Sequence, residues 1–231
     1  MSQHQTASLK PVLMVLTSYR DIVNGHDISG FYLPELTHPL HVLNEAGIAA
    51  VFASIQGGKP PVYGIGDDEL NQRYWQNDKF QQQLTHTLPL AAAKSEDYSA
   101  VLFVGGHGTM WDFPDNAAVK KLAREMFESN KPVAAVCHGP AALLNVTLSN
   151  GRYLIEGKRV AAFTDTEEIE VGLANTVPFM LETTLKARGA RHDAAANWHC
   201  HVVTDGHLIT GQNPQSATAL GEALRQLLLS A

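Results

Sequence analysis

The chain has 231 residues, with 17 Lys and Arg set against 23 Asp and Glu for a formal net charge of −6. It carries no basic run and no apolar stretch near the roughly 18 residues of a membrane span, which argues against nucleic acid, anionic membrane surfaces and bilayer insertion. Residues 1–10 are polar and lack the apolar centre of a signal peptide, so a cytoplasmic protein is expected, with Cys137 and Cys200 as unpaired thiols.

Apolar runs and amphipathic segments alternate along the whole length without a linker, which predicts one α/β domain over residues 1–231 built on a mostly parallel sheet. Residues 11–17 read as the first buried strand. The following residues, Ser18, Tyr19, Arg20 and Asp21, open a polar loop with Gly25 and Gly30 at the end of the sheet where ligands bind in such folds. A helix is expected over residues 34–46, with Pro34 in its first turn, Gly47 just past its end and a kink at Pro39. Taken alone, Glu35 reads as an acid favoured near a helix N-terminus. Residues 48–54 form the second strand, and residues 56–68 are too rich in Gly and Pro for a core element. That stretch reads as a surface excursion forming a rim or dimer contact, anchored by Arg73, Tyr74, Trp75 and Phe80, with a helix over residues 80–85.

Residues 98–104 make the third strand, and Gly105-Gly106-His107-Gly108-Thr109-Met110-Trp111-Asp112 follows it directly. Glycines there permit the close backbone approach that an oxyanion pocket needs, while the spacing matches neither a phosphate loop nor a dinucleotide fingerprint. His107 is a general base or a loop histidine bonded to backbone. An amphipathic helix over residues 116–128 leads to Lys131-Pro132-Val133-Ala134-Ala135-Val136-Cys137-His138-Gly139-Pro140, a buried strand turning sharply into a helix expected to about residue 146. This places Cys137 at a nucleophile elbow, between the small residues Ala135 and Gly139. Isolated cysteines are usually inert and buried. Here the helix N-terminus is expected to lower the thiol pKa, and the amide of His138 to receive an oxyanion.

Residues 153–164 read as a hairpin turning at residues 156–158, and the acidic residues 165–170 as a helix start. A helix over residues 179–188 and a hairpin over residues 201–210 with an Asp205-Gly206 turn follow. His199, Cys200 and His201 invite a metal reading, but with no third ligand at a recognised spacing no metal is assigned. Asn213 and Pro214 cap and start the last helix.

The motifs Gly30-Phe31-Tyr32-Leu33-Pro34-Glu35 with His38-Pro39, Gly105-Gly106-His107-Gly108 with Trp111-Asp112, Ala135-Val136-Cys137-His138-Gly139-Pro140, Phe163-Thr164-Asp165-Thr166-Glu167-Glu168, and Thr210-Gly211-Gln212-Asn213-Pro214 occur in this order. Together they resemble the ThiJ/PfpI superfamily, distant relatives of the class I glutamine amidotransferases, and within it the heat-shock glyoxalase III branch. The resemblance implies a flavodoxin-like three-layer sandwich with helices on both faces of the sheet. It also implies Cys137 as nucleophile, His138 as its base, Glu35 as the carboxyl beside the thiol, and Glu168 as the acid orienting His138, although the doublet leaves Glu167 open for that role. Gly105, Gly106, His107 and Gly139 would line the pocket.

The function implied is a cofactor-independent glyoxalase that converts methylglyoxal or a similar 2-oxoaldehyde to D-lactate or the matching 2-hydroxy acid, in a homodimer. The alternatives are a cysteine peptidase or amidase using the same groups, and a stress holdase or cysteine redox sensor.

Overall fold

The computed structural model describes residues 9–23, 25–27, 30–66 and 68–230. The polar N-terminal residues 1–8, parts of the loop after the first strand and Asp67 of the Gly/Pro-rich excursion lie outside them. A seven-stranded sheet runs in the order Val202–Asp205, Leu208–Gly211, Val133–Val136, Ala100–Phe103, Val12–Leu16, Ala50–Ser54, Leu88–Pro89. All neighbours are parallel except the edge pair joined by the Asp205-Gly206 turn, the hairpin expected from the sequence.

The central strands are apolar on both faces because both are covered. Leu13, Val15, Val101, Phe103, Val133 and Ala135 pack with Val119, Leu122, Ala123 and Met126 of the helix Ala117–Glu128. Their alternates Val12, Met14, Leu16, Ala100, Leu102, Ala134 and Val136 pack with Leu36, Leu40 and Leu43 of Leu33–Glu45 and with Leu220 and Leu224 of Ala217–Leu229. Each fully buried leucine contributes about 2–3 kcal/mol of transfer free energy. The helix Leu33–Glu45 runs unbroken through Pro39, where two parts or a kink are expected. Gly221 lets the two helices touch there: a Cβ on it would lie 2.8 Å from the Pro39 Cα.

Several elements depart from the sequence expectation. The segment after Cys137 is a five-residue 3₁₀ turn, Gly139–Leu143, rather than a helix to residue 146. Pro140 has no N–H to donate, and Ala141 bonds back three residues to the His138 carbonyl. Residues 153–164 form no hairpin; Arg159–Val160 instead pairs in parallel with Arg191–His192. The excursion contributes Val62–Tyr63, a two-residue parallel partner of Phe31–Tyr32, and is followed by the unforeseen helix Glu69–Trp75. No helix of the described residues is long and apolar enough to cross a membrane.

Candidate active site at the Cys137 elbow

Cys137 follows the strand Val133–Val136 with φ of +59°, a left-handed conformation that side chains other than glycine rarely take. Such a conformation costs on the order of 1–3 kcal/mol and persists only where surrounding bonds enforce it. They do so here: the Cys137 amide donates to the Gly211 carbonyl at 2.9 Å, and its carbonyl accepts from the Phe163 amide at 3.0 Å. The elbow is crowded as well. A Cβ on Gly139 would meet the Phe103 carbonyl oxygen at 2.3 Å, and one on Gly105 would meet Glu35 Oε2 at 2.3 Å and the Val136 carbonyl oxygen at 2.4 Å. Gly106 has φ of +112° and presses on the backbone of Gly30, Phe31 and Tyr32.

Behind the thiol stands a relay. His138 Nδ1 lies 3.3 Å from Cys137 Sγ, and His138 Nε2 lies 2.7 Å from Glu168 Oε2. The other oxygen of the same carboxylate, Oε1, lies 2.9 Å from His107 Nε2. Burial opposes the charge on Glu168, but hydrogen bonds from His107 and His138 outweigh it and hold the group down to about 2. Burial, with His107 nearby, pushes His138 down to about 4, so at neutral pH its ring is uncharged. A Glu168 anion then requires Nε2–H on both rings, which leaves Nδ1 of His138 free to accept the thiol proton. The His107 ring lies 4.0 Å, and the Phe163 ring 4.4 Å, from that of His138, both tilted against it, so two neighbouring rings hold the imidazole in place.

The Glu167 alternative is settled by direction. Glu167 accepts from the Thr164 amide and hydroxyl in a capping box and from Trp198 N, Gln212 Nε2 and Asn213 Nδ2, all within 3.1 Å. It braces the short helix Asp165–Glu170 that delivers Glu168. Asn213 acts within this network, and the last helix begins as the 3₁₀ turn Pro214–Ser216.

Glu35, in the first turn of Leu33–Glu45, is fully buried, and neither of its oxygens has a hydrogen-bond partner of good geometry among the described residues; the Cys137 thiol and Gly105 backbone are its polar neighbours. Burial raises it to about 8, so it carries its proton at neutral pH. Burial and Glu35 likewise push the Cys137 thiol up, against the lowering effect of the His138 amide. The expected depression of the thiol by a helix N-terminus is therefore overturned: a five-residue 3₁₀ turn aligns few dipoles, and Cys137 is only 4 % exposed.

Two further groups have contacts that the sequence does not report: Asp112, which it offers only as a motif residue, and Tyr63. Asp112, raised by burial to about 6, accepts from the Ser18 amide at 2.7 Å and ties the glycine loop to the exit of the first strand. Tyr63 enters from the excursion; its hydroxyl accepts from the His107 amide at 3.4 Å.

Among the described residues, His107, His138 and Glu168 are the grouping whose ligand atoms, within 4.8 Å of one another, could hold a metal, at the expense of the two N–H···O bonds. His199 and His201 precede the strand Val202–Asp205 rather than sharing one of its faces, and bond Asn197 and Asp193.

A parallel α/β sheet ending in a strained cysteine elbow, backed by a histidine and a buried carboxylate, defines the class. The chain belongs to the DJ-1/PfpI family, whose model matches residues 28–227. It is 32% identical over 222 residues to the glutathione-independent glyoxalase HSP31 of Saccharomyces cerevisiae, covering 90% of this chain and 93% of that one. The structure of glyoxalase III from Candida albicans superposes with a TM-score of 0.84 at 27% identity, covering 93% and 95% of the two chains. The Rapid Encystment Protein 24 KDa of Francisella tularensis superposes with a TM-score of 0.91 at 38% identity, covering 95% and 99%.

Proposed function

We propose that the protein is a glutathione-independent glyoxalase that converts methylglyoxal or a similar small 2-oxoaldehyde, with uptake of one water, to the 2-hydroxy acid. The observation that carries this reading is the pairing of the Cys137 thiol with Glu35, a fully buried carboxyl that burial keeps protonated to about pH 8. The names of the yeast and Candida relatives support it.

The proton count closes on groups of the chain. His138 Nδ1 takes the thiol proton while sulfur bonds the aldehyde carbon C1 and Glu35 gives its proton to O1, forming a hemithioacetal. The Glu35 carboxylate then removes the C1 hydrogen; the C–H pair becomes the C1=C2 bond, and the C2=O2 pair moves to O2, which takes the proton from His138. Glu35 returns a proton to C2 as O1–H gives up its own to His138, leaving a thioester; Glu35 then takes a proton from the water that attacks C1 while His138 returns its proton to the departing sulfur, which frees the 2-hydroxy acid and restores all three groups. Amides of Gly106 and His138 would steady O1 during attack.

A nucleophile as buried as Cys137 suits a three-carbon aldehyde better than a peptide, which needs an open groove. The cytoplasmic setting and homodimer expected from the sequence belong to the same proposal. The test is lactate release from methylglyoxal without glutathione, with Cys137→Ala and Glu35→Gln as controls that should lose it.

A further inference from the structure

The mechanism above gives one oxygen of the substrate no standing hydrogen-bond donor, since His138, which protonates O2, also exchanges protons with the sulfur and with O1. O1 is served by Glu35 and the elbow amides, but O2, where negative charge collects as the C1–H bond breaks, needs a donor of its own. We propose that Tyr63 is a substrate-contacting residue whose hydroxyl donates to O2, and that it tunes the site to aldehydes bearing an adjacent carbonyl. The assignment rests on the glyoxalase reading.

Tyr63 is held in place by the two-residue ladder in which Phe31 pairs with Val62 and Tyr32 with Tyr63. The Phe31 amide donates to the Pro61 carbonyl at 3.1 Å, and a Cβ on Gly30 would lie 2.4 Å from that oxygen, so the backbones meet as closely as glycine permits. This join anchors the excursion beside the start of the helix that carries Glu35. The Tyr63 ring lies 5.2 Å from that of Tyr32. Its outer edge stays at the surface, 36 % exposed, while its hydroxyl accepts from the His107 amide at 3.4 Å and lies in the field of Glu35 and Cys137.

A phenol oxygen that accepts from a backbone N–H keeps its own hydrogen to donate. Desolvation, followed by the nearby Glu35 and Cys137, pushes the Tyr63 phenol well above its ordinary range, so it remains a donor and does not serve as a base. Glu35, whose polar neighbours are the Cys137 thiol and the Gly105 backbone, and Cys137 are both near enough to act on the phenol, so a thiol, a carboxyl and a phenol lie close together. A 2-oxoaldehyde offers two adjacent oxygens to such a set; a simple aldehyde offers one and leaves the phenol unused. Tyr63 bonds O2 without transferring its proton, so the proton count of the reaction is unchanged.

The test compares wild type with Tyr63→Phe, which keeps the ring beside Tyr32 and removes only the hydroxyl. On methylglyoxal kcat/KM should fall about 10²–10³-fold, the range for losing one oxyanion donor. The isotope effect on kcat from C1-deuterated methylglyoxal should rise, because loss of the O2 donor slows C1–H cleavage in particular. Retention of kcat/KM within twofold overturns the assignment. So does a fall with an unchanged isotope effect, which would mark a structural role. If Tyr63→Phe fails to fold, Tyr63→His, which restores an N–H donor, is judged by the same two readouts. Absence of lactate from the wild type instead defeats the glyoxalase reading, and the assignment falls with it.

Discussion

Glu167 and Glu168 are adjacent, and both are buried, yet their carboxylates serve opposite sides of one short helix: Glu168 reaches His138 at 2.7 Å, whereas Glu167 closes the capping box and gathers the backbone behind it. A single residue step of about 100° around the helix thus separates an electrostatic duty from a mechanical one, and substitution should separate them too. Glu168→Gln should lower kcat by on the order of 10²–10⁴-fold, because an amide cannot accept from both imidazoles and the tautomer facing the sulfur is lost. Glu167→Gln should act mainly on stability, costing about 2–4 kcal/mol through the buried donors left without partners. Steady-state kinetics beside urea unfolding of both variants checks the division; equal loss of turnover at equal stability would contradict it.

Glu35 gives a stability signature of opposite sign to that of Glu168. Its folded pKa, about 8, lies above its ordinary 4.5, so the folded state holds a proton that the unfolded chain releases. Stability is therefore unreduced by this group below about pH 4.5 and declines as pH rises to about 8, by a few kcal/mol in all. Glu35→Gln, neutral at every pH, should be the more stable protein at pH 8.5, with the difference shrinking toward pH 5. Thermal unfolding at the two pH values measures it.

For Glu168 the folded pKa, about 2, lies below the ordinary 4.5. The stability it contributes is complete above about pH 4.5 and lost as pH falls toward 2. Acid unfolding of Glu168→Gln should accordingly show a weaker pH dependence in that window than the wild type, read from urea midpoints between pH 5 and 2.5.

Gly105 is fixed by contact and not by dihedral freedom. Its added methyl would strike a Glu35 oxygen and the Val136 carbonyl, both beneath the elbow. Gly105→Ala should lower the melting midpoint by several degrees and turnover by at least 10-fold, whereas Gly151→Ala, at a site open to solvent, should pay only for its left-handed backbone and leave turnover alone.

The elbow was legible because its signals are local: a proline, a fully apolar strand, small residues on either side of Cys137, then Gly-Pro. The central strands were legible for the same reason, each apolar on both faces. The 3₁₀ turn after the elbow was not, because Ala141, Ala142, Leu143 and Leu144 read as a helix whether or not packing lets one continue. Arg159 and Val160 pair with Arg191 and His192, some 30 residues away, and no nearby turn signal reports that. The Glu167/Glu168 choice depends on helix phase, which shifts by about 100° per residue and follows from where Thr164 caps the helix. Tyr63 was hidden by its setting: a Gly/Pro-rich excursion reads as surface, and only the ladder with Phe31-Tyr32 shows how its hydroxyl comes to the His107 amide.

The central claim is that Cys137 and Glu35 together convert a 2-oxoaldehyde to its 2-hydroxy acid, and the most direct measurement is lactate formed from methylglyoxal by purified protein without glutathione. The account expects turnover by the wild type, loss of several orders of magnitude in folded Cys137→Ala and Glu35→Gln, and an activity that declines above about pH 8 as Glu35 loses its proton. Lactate formation no faster than in buffer, or undiminished turnover by Cys137→Ala, would contradict it.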